Sequence, residues 1–164
     1  MKLTKILVLL AFCFSIITFT AIAQDLDEEQ QVYMEKLMEA EMQRNVGLAK
    51  SHFQVGMIHY NHKKYGLAME KFLASITTVP SSLGFYYFAV SYSKIDELEN
   101  RGKIAIIHLH CAIDIAEQNE GDDIRKLAWS AIGDIYTQMG ETGYATDAYA
   151  KAGIHISNTA DSVN

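Results

Sequence analysis

Histidine is the residue type in this chain with the most scope for chemistry, and there are six of them. His59 and His62 lie three apart, which brings two imidazoles to one side of a helix, a spacing that metal sites use. No third ligand stands near them, and Lys63 and Lys64 repel a cation, so solvated or hydrogen-bonded histidines are expected. His108 and His110 lie two apart and face opposite ways on a helix, so they do not chelate together. Cys111 falls in an apolar stretch with no neighbour that lowers a thiol pKa, and reads as a small buried hydrophobe. Glu120-Gly121-Asp122-Asp123 is acidic but lacks the alternating oxygens of a calcium loop, and reads as a solvated linker. The chain has no G-x-S-x-G elbow, H-E-x-x-H pair, phosphate loop or paired-cysteine zinc motif. The expectation is a non-enzyme with no metal and no cofactor.

Composition points to a packed core rather than a disordered chain. The chain has 164 residues, 49% hydrophobic and 21% charged, enough for one packed domain. One proline and two cysteines exclude a proline-rich linker, a collagen-like repeat and a disulfide scaffold. A net charge of -6 argues against nucleic acid, where binding rests on Lys and Arg neutralising phosphates.

The first 23 residues have the parts of a secretory signal peptide: Lys2 and Lys5, an uncharged run from Ile6 to Thr20, and Ala21-Ile22-Ala23 before a cut ahead of Gln24. The run is shorter than the ~20 residues a spanning helix needs, so cleavage and export to a periplasm or beyond are expected, with no membrane span afterwards. Leu10-Ala11-Phe12-Cys13 is similar to a bacterial lipid-attachment site, in which a small residue precedes the cysteine; Phe12 is bulky. Cleavage removes Lys2, Lys5 and Cys13, which leaves a more acidic chain with Cys111 as its single cysteine.

Beyond that point apolar residues recur at three and four, the helical period, with no sustained strand-like alternation. The pattern also repeats. Residues 126–159 contain Trp129-x2-Ile132-Gly133-x2-Tyr136, then Ala145-x3-Tyr149-x2-Ala152, with Gly140-Glu141 at the turn. Residues 49–81 contain Val55-Gly56, then Tyr65, Ala68-x3-Phe72 and a closing Pro80, with His52 and His59 at the motif's Trp and Tyr places and Ser75 at a small apolar one. Residues 82–119 contain Phe85-x2-Phe88-Ala89-x2-Tyr92 and Ala105-x3-Leu109-x2-Ala112, with four extra residues between the halves, about one helical turn. Asp122 or Asp123 suits the cap of the helix that follows.

These units resemble the tetratricopeptide repeat, W-x2-L-G-x2-Y followed by A-x3-F and a proline. The resemblance implies an all-α protein: a short right-handed α-solenoid of about three helical hairpins plus an N-terminal helix. It implies that Gly56, Ala89 and Gly133 let one helix approach its hairpin partner at Ala68, Ala105 and Ala145. Aromatic side chains at Phe72, Tyr92, Tyr136 and Tyr149 would then fill the space between units. Residues 24–48 read as an amphipathic capping helix, with Gly47 either ending it or carried within a longer one. Residues 160–164 read as a disordered tail.

The resemblance also implies a function, binding of a protein or peptide in a groove lined by the first helix of each hairpin. In the first unit His52, Val55, Gly56 and His59 form the packing face, which leaves Lys50, Phe53, Met57, Tyr60 and Asn61 for the groove. Tyr86 and Val90 follow in the second unit, with Ser93 and with Tyr87 at the edge, and Asp134 in the third with Leu127, Ser130 and Thr137. The Met residues of 24–48 are the alternative occupant of that groove. Phe53 and Met57 stand where chaperone-clamping members use Lys and Asn, so that role is not expected. The other reading is a structural, self-associating component of an envelope assembly, a homo-oligomer.

Overall fold

Helix-favouring runs broken by Gly, Pro and polar turns produce six α-helices in the computed structural model, which describes residues 28–96, 98, 100–119 and 122–154. They are α1 (Glu28–Asn61), α2 (Tyr65–Thr78), α3 (Ser82–Ser93), α4 (Arg101–Asn119), α5 (Asp122–Gln138) and α6 (Thr142–Lys151). No strand occurs among the described residues. The signal segment 1–23, Cys13, the Glu120-Gly121 part of the acidic run and the tail 160–164 lie outside them.

The chain divides into two units, Met1–Arg44 and Asn45–Asn164. In the first, the described part of α1 opens on Glu28 and Glu29, whose charge suits the positive end of a helix. Glu39 accepts from Gln43 at 3.3 Å, and Glu41 pairs with Arg44 at 3.4 Å. Val32, Tyr33, Leu37, Met38 and Met42 are exposed. Gly47 does not end this helix and is carried within a longer one: α1 runs through it to Asn61. A mid-helix glycine costs only about 1 kcal/mol against alanine, less than the surrounding helix formers supply.

In the second unit successive helices pack as pairs, α2 on α3, α3 on α4, α4 on α5 and α5 on α6, and α3 also meets α5. Two side-chain clusters hold them. Ala68, Phe72, Ile76 and Phe88 form one, with Phe53, Met57 and Tyr60 packed against it. Ala89, Ala105, Leu109, Ile113, Ala128, Ile132 and Ala148 form much of the other. Ser75 departs from the repeat pattern for a visible reason: its hydroxyl donates to the Ala49 carbonyl at 2.9 Å, a buried bond that ties α2 to α1.

The first and third hairpins are built alike. Each first helix ends on a left-handed residue, Lys63 (φ 58°) or Gly140 (φ 77°), the conformation that turns a chain out of a helix. In each, the next residue donates back: Lys64 N to His59 O at 2.9 Å, and Glu141 N to Tyr136 O at 2.9 Å. In each, an aromatic ring from the second helix sits on the glycine of the first. A Cβ added at Gly56 would lie 2.7 Å from the Phe72 ring, and one at Gly133 would lie 2.7 Å from the Tyr149 ring. The glycine thus makes room for the aromatic of A-x3-F/Y, one turn beyond the alanines expected there. Tyr149 lies inside its own hairpin, over Gly133 and bonded to Asp134, whereas Tyr136 stacks on Tyr144 at 5.3 Å and also packs against the cluster that α3 to α6 share.

The middle hairpin keeps the packing and changes the turn. Its connection, residues 94–100, is longer than 62–64 and 139–141, so the extra residues sit in the turn instead of extending the helices. Pro80 precedes α3, and the Ser81 hydroxyl caps that helix by accepting from Gly84 N at 3.1 Å. Asp122 and Asp123 stand in the first turn of α5 rather than in a linker before it.

Candidate functional site

The groove residues read from the sequence divide into three groups. Phe53 and Tyr60 on α1 and Tyr86 on α3 are brought together, and the side chain that joins them is Tyr87, read from the sequence only as an edge. Its ring lies 5.8 Å from Phe53, 5.3 Å from Tyr60, 5.5 Å from Phe72 and 5.1 Å from Tyr86, centroid to centroid. Three of these contacts are edge-on, the favoured arrangement of ring quadrupoles. Met57 packs on the same cluster, and Val90 packs on the neighbouring one. All five side chains of this group are half-buried.

Lys50 belongs to a different place. With Phe53 it lines a cavity of about 440 Å³, together with Val46, Ala49, Val79, Leu83, Ile124, Ser75 and Ser81. Both serine hydroxyls are already engaged, with Ala49 O and Gly84 N, so Lys50 is the wall's cation. Asn61 is exposed at the end of α1.

Asp134 forms the third group. It is exposed on α5 and accepts a hydrogen bond from the Tyr149 hydroxyl at 2.6 Å, so the ring seated on Gly133 also fixes this carboxylate. Burial raises the Tyr86 phenol above its ordinary range, and Tyr60, Tyr87 and Asp134 add to the effect. Burial likewise raises Tyr60, with Tyr65 and Tyr87 contributing. The site is thus a neutral aromatic surface on α1 and α3, with a carboxylate on α5 close enough to act on Tyr86.

The packing face of α1 differs from the expected one. Gly56 is buried, but Val55 is exposed, and Ala49 takes the buried place instead. Tyr87 was hidden because Phe85-Tyr86-Tyr87-Phe88 puts aromatic side chains all around α3; α3 touches α2, α4 and α5, so several of its faces are packed.

The histidines occupy separate settings. His62 Nδ1 lies 2.7 Å from Ile58 O. His108 stacks on Phe85 and meets Phe88 edge-on at 4.7 Å, whereas His110 faces Trp129 at 5.3 Å, with the Lys151 ammonium 4.2 Å from the indole centroid. Among the described residues no group of three or more His, Cys, Asp or Glu side chains is placed to hold a metal. A second cavity, about 330 Å³, opens beside the long connection next to Ile135 and Met139; its Arg101 is already paired with Asp96.

Burial holds the His108 imidazole below its ordinary range. The unfolded chain therefore takes up this proton first as pH falls, so stability is full above the unfolded pKa of about 6.5 and declines as pH drops through it. Thermal melts from about pH 7.5 to about pH 5.5 are expected to show a falling midpoint, and His108→Leu a flatter dependence. An equal slope in both proteins contradicts the assignment.

No protein-family model and no curated protein matches this chain. Among the described residues no helix is long and apolar enough to cross a membrane.

Proposed function

We propose that this is an exported protein of tetratricopeptide type, a short α-solenoid that binds a peptide or partner helix on the surface made by α1 and α3. The observation that carries this reading is the ring cluster centred on Tyr87, which joins Phe53, Tyr60 and Tyr86 from two helices into one half-exposed surface. Tyrosine and phenylalanine are enriched at the cores of protein interfaces, and tyrosine is among the residues that carry most of the binding energy there. The matching glycine-on-ring construction of the first and third hairpins supports the family reading, and the Lys2-to-Ala23 pattern supports export.

Peptides selected from a displayed library against the purified protein provide the test. Tyr60→Ala with Tyr86→Ala is expected to weaken the selected peptides about tenfold or more, as loss of interface anchors does, with helix content by circular dichroism unchanged. Binding that survives the double substitution removes this surface from consideration.

A further inference from the structure

Four residues of α1 that recur at three and four, Val46, Ala49, Lys50 and Phe53, present one helix face to the cavity of about 440 Å³. The extended connection between α2 and α3 meets them there: Val79 and Ser81 have φ of -141° and -144°, and Leu83 follows in the first turn of α3. Ile124, from the first turn of α5, and Ser75 complete the lining. Every one of these residues belongs to the second unit. The volume falls within the range of about 300–1,000 Å³ that small-molecule sites occupy, and six of the nine lining side chains are wholly apolar. Val46 and Lys50 are the exposed members of the lining, so the cavity opens to solvent beside the Lys50 ammonium.

Lys50 has no carboxylate of its own. The positions three and four to either side of it are Val46, Gly47, Phe53 and Gln54, and none of the ion pairs among the described residues includes it. Asp122 and Asp123 precede Ile124 on α5, but neither lines the cavity, and Asp122 is bonded to Arg125 at 2.5 Å. The remaining polar groups favour negative charge as well. Ser81 Oγ accepts from Gly84 N, so its hydroxyl proton remains to be donated. Ser81 is also the cap of α3, and the N-terminus of a helix is its positive end. We propose that this cavity binds an ionised medium-chain monocarboxylic acid, its alkyl chain against the apolar lining and its carboxylate paired with the Lys50 ammonium at the opening. A cationic amphiphile meets repulsion from Lys50, and a dicarboxylate buries a second charge with no cation to meet it. The cavity shares Phe53 with the Tyr87 cluster but not Tyr60, Tyr86 or Tyr87, so it stands whether or not that cluster binds a peptide.

Calorimetric titration of the purified protein with hexanoate, octanoate and decanoate is the test, with octanol as the uncharged control. Each two added methylenes are expected to tighten binding about tenfold. Octanoate should bind about fivefold more tightly than octanol, the reach of a partly exposed ion pair. Lys50→Gln, at an exposed position, should bring octanoate down to the level of octanol and leave octanol unchanged. Val46→Glu, also at an exposed position, gives Lys50 a carboxylate partner four residues away on its own helix. It should weaken octanoate about fivefold or more with helicity unchanged. Tyr60→Ala with Tyr86→Ala should leave octanoate binding as it is, which separates this cavity from the peptide surface. Overturning results are no binding at about 1 mM octanoate, affinity independent of chain length, equal affinity for octanoate and octanol, or octanoate binding that is indifferent to Lys50→Gln or lost with the two tyrosines.

Discussion

Phe72→Ala is expected to lower the unfolding free energy by about 3–5 kcal/mol, the range for emptying a fully buried aromatic site. Phe72 is 0% exposed. Its ring sits on the Gly56 backbone, lies 5.4 Å from Phe53 and stacks on Tyr87 at 5.5 Å. The cavity therefore opens where α1, α2 and α3 meet, and no single helix can move to fill it without leaving another neighbour. Domains of this size are stable by about 5–15 kcal/mol, so the loss is a large part of the whole. Urea unfolding followed by circular dichroism measures it. Tyr149→Ala, the equivalent change in the third hairpin, should cost clearly less, because that ring is only half-buried. Equal losses at both positions contradict this account of the core.

Two glycines on one helix provide the second large effect, with opposite signs. At Gly47 an added Cβ meets nothing within 4 Å, so Gly47→Ala should stabilise the protein by up to about 1 kcal/mol through helix propensity alone. At Gly56 the same methyl group would stand 2.7 Å from one Phe72 ring carbon and 2.8 Å from another. That ring is held on its other sides by Phe53 and Tyr87, so the helix must move instead. Gly56→Ala is therefore expected to cost about 1–3 kcal/mol, the usual range for overpacking, despite the same gain in propensity. Stabilisation at both positions would mean that the hairpin does not close on this glycine.

Much of the helical layout is legible in the residues. The three-and-four period marks the helices after residue 27, Pro80 and Gly140 mark turns, and the small residue followed by an aromatic, Gly56 with Phe72 and Gly133 with Tyr149, marks the hairpins. The rest is hidden for identifiable reasons. Lys63 adopts the left-handed turn that Gly140 adopts, and nothing in a lysine announces it. Gly47 reads equally as a helix end or an interior residue because propensity alone does not reveal that its flanks outweigh it. Val55 resembles a packing residue through its motif place beside Gly56, but α2 covers the Ala49 and Gly56 side of the helix. Of the aromatic surface proposed to bind, Phe53, Tyr60 and Tyr86 follow from spacing. Tyr87, which joins them, emerges only when α3 is seen with neighbours on several sides.

The account rests on rings closing the hairpins over glycine, and a double-mutant cycle between Gly56→Ala and Phe72→Leu measures that contact directly. Leucine is narrower than the ring and leaves room for the added methyl group. The double variant should therefore be more stable than the two single losses together imply, by a coupling of about 1 kcal/mol or more. Losses that add to within about 0.5 kcal/mol would show that Gly56 and Phe72 do not touch.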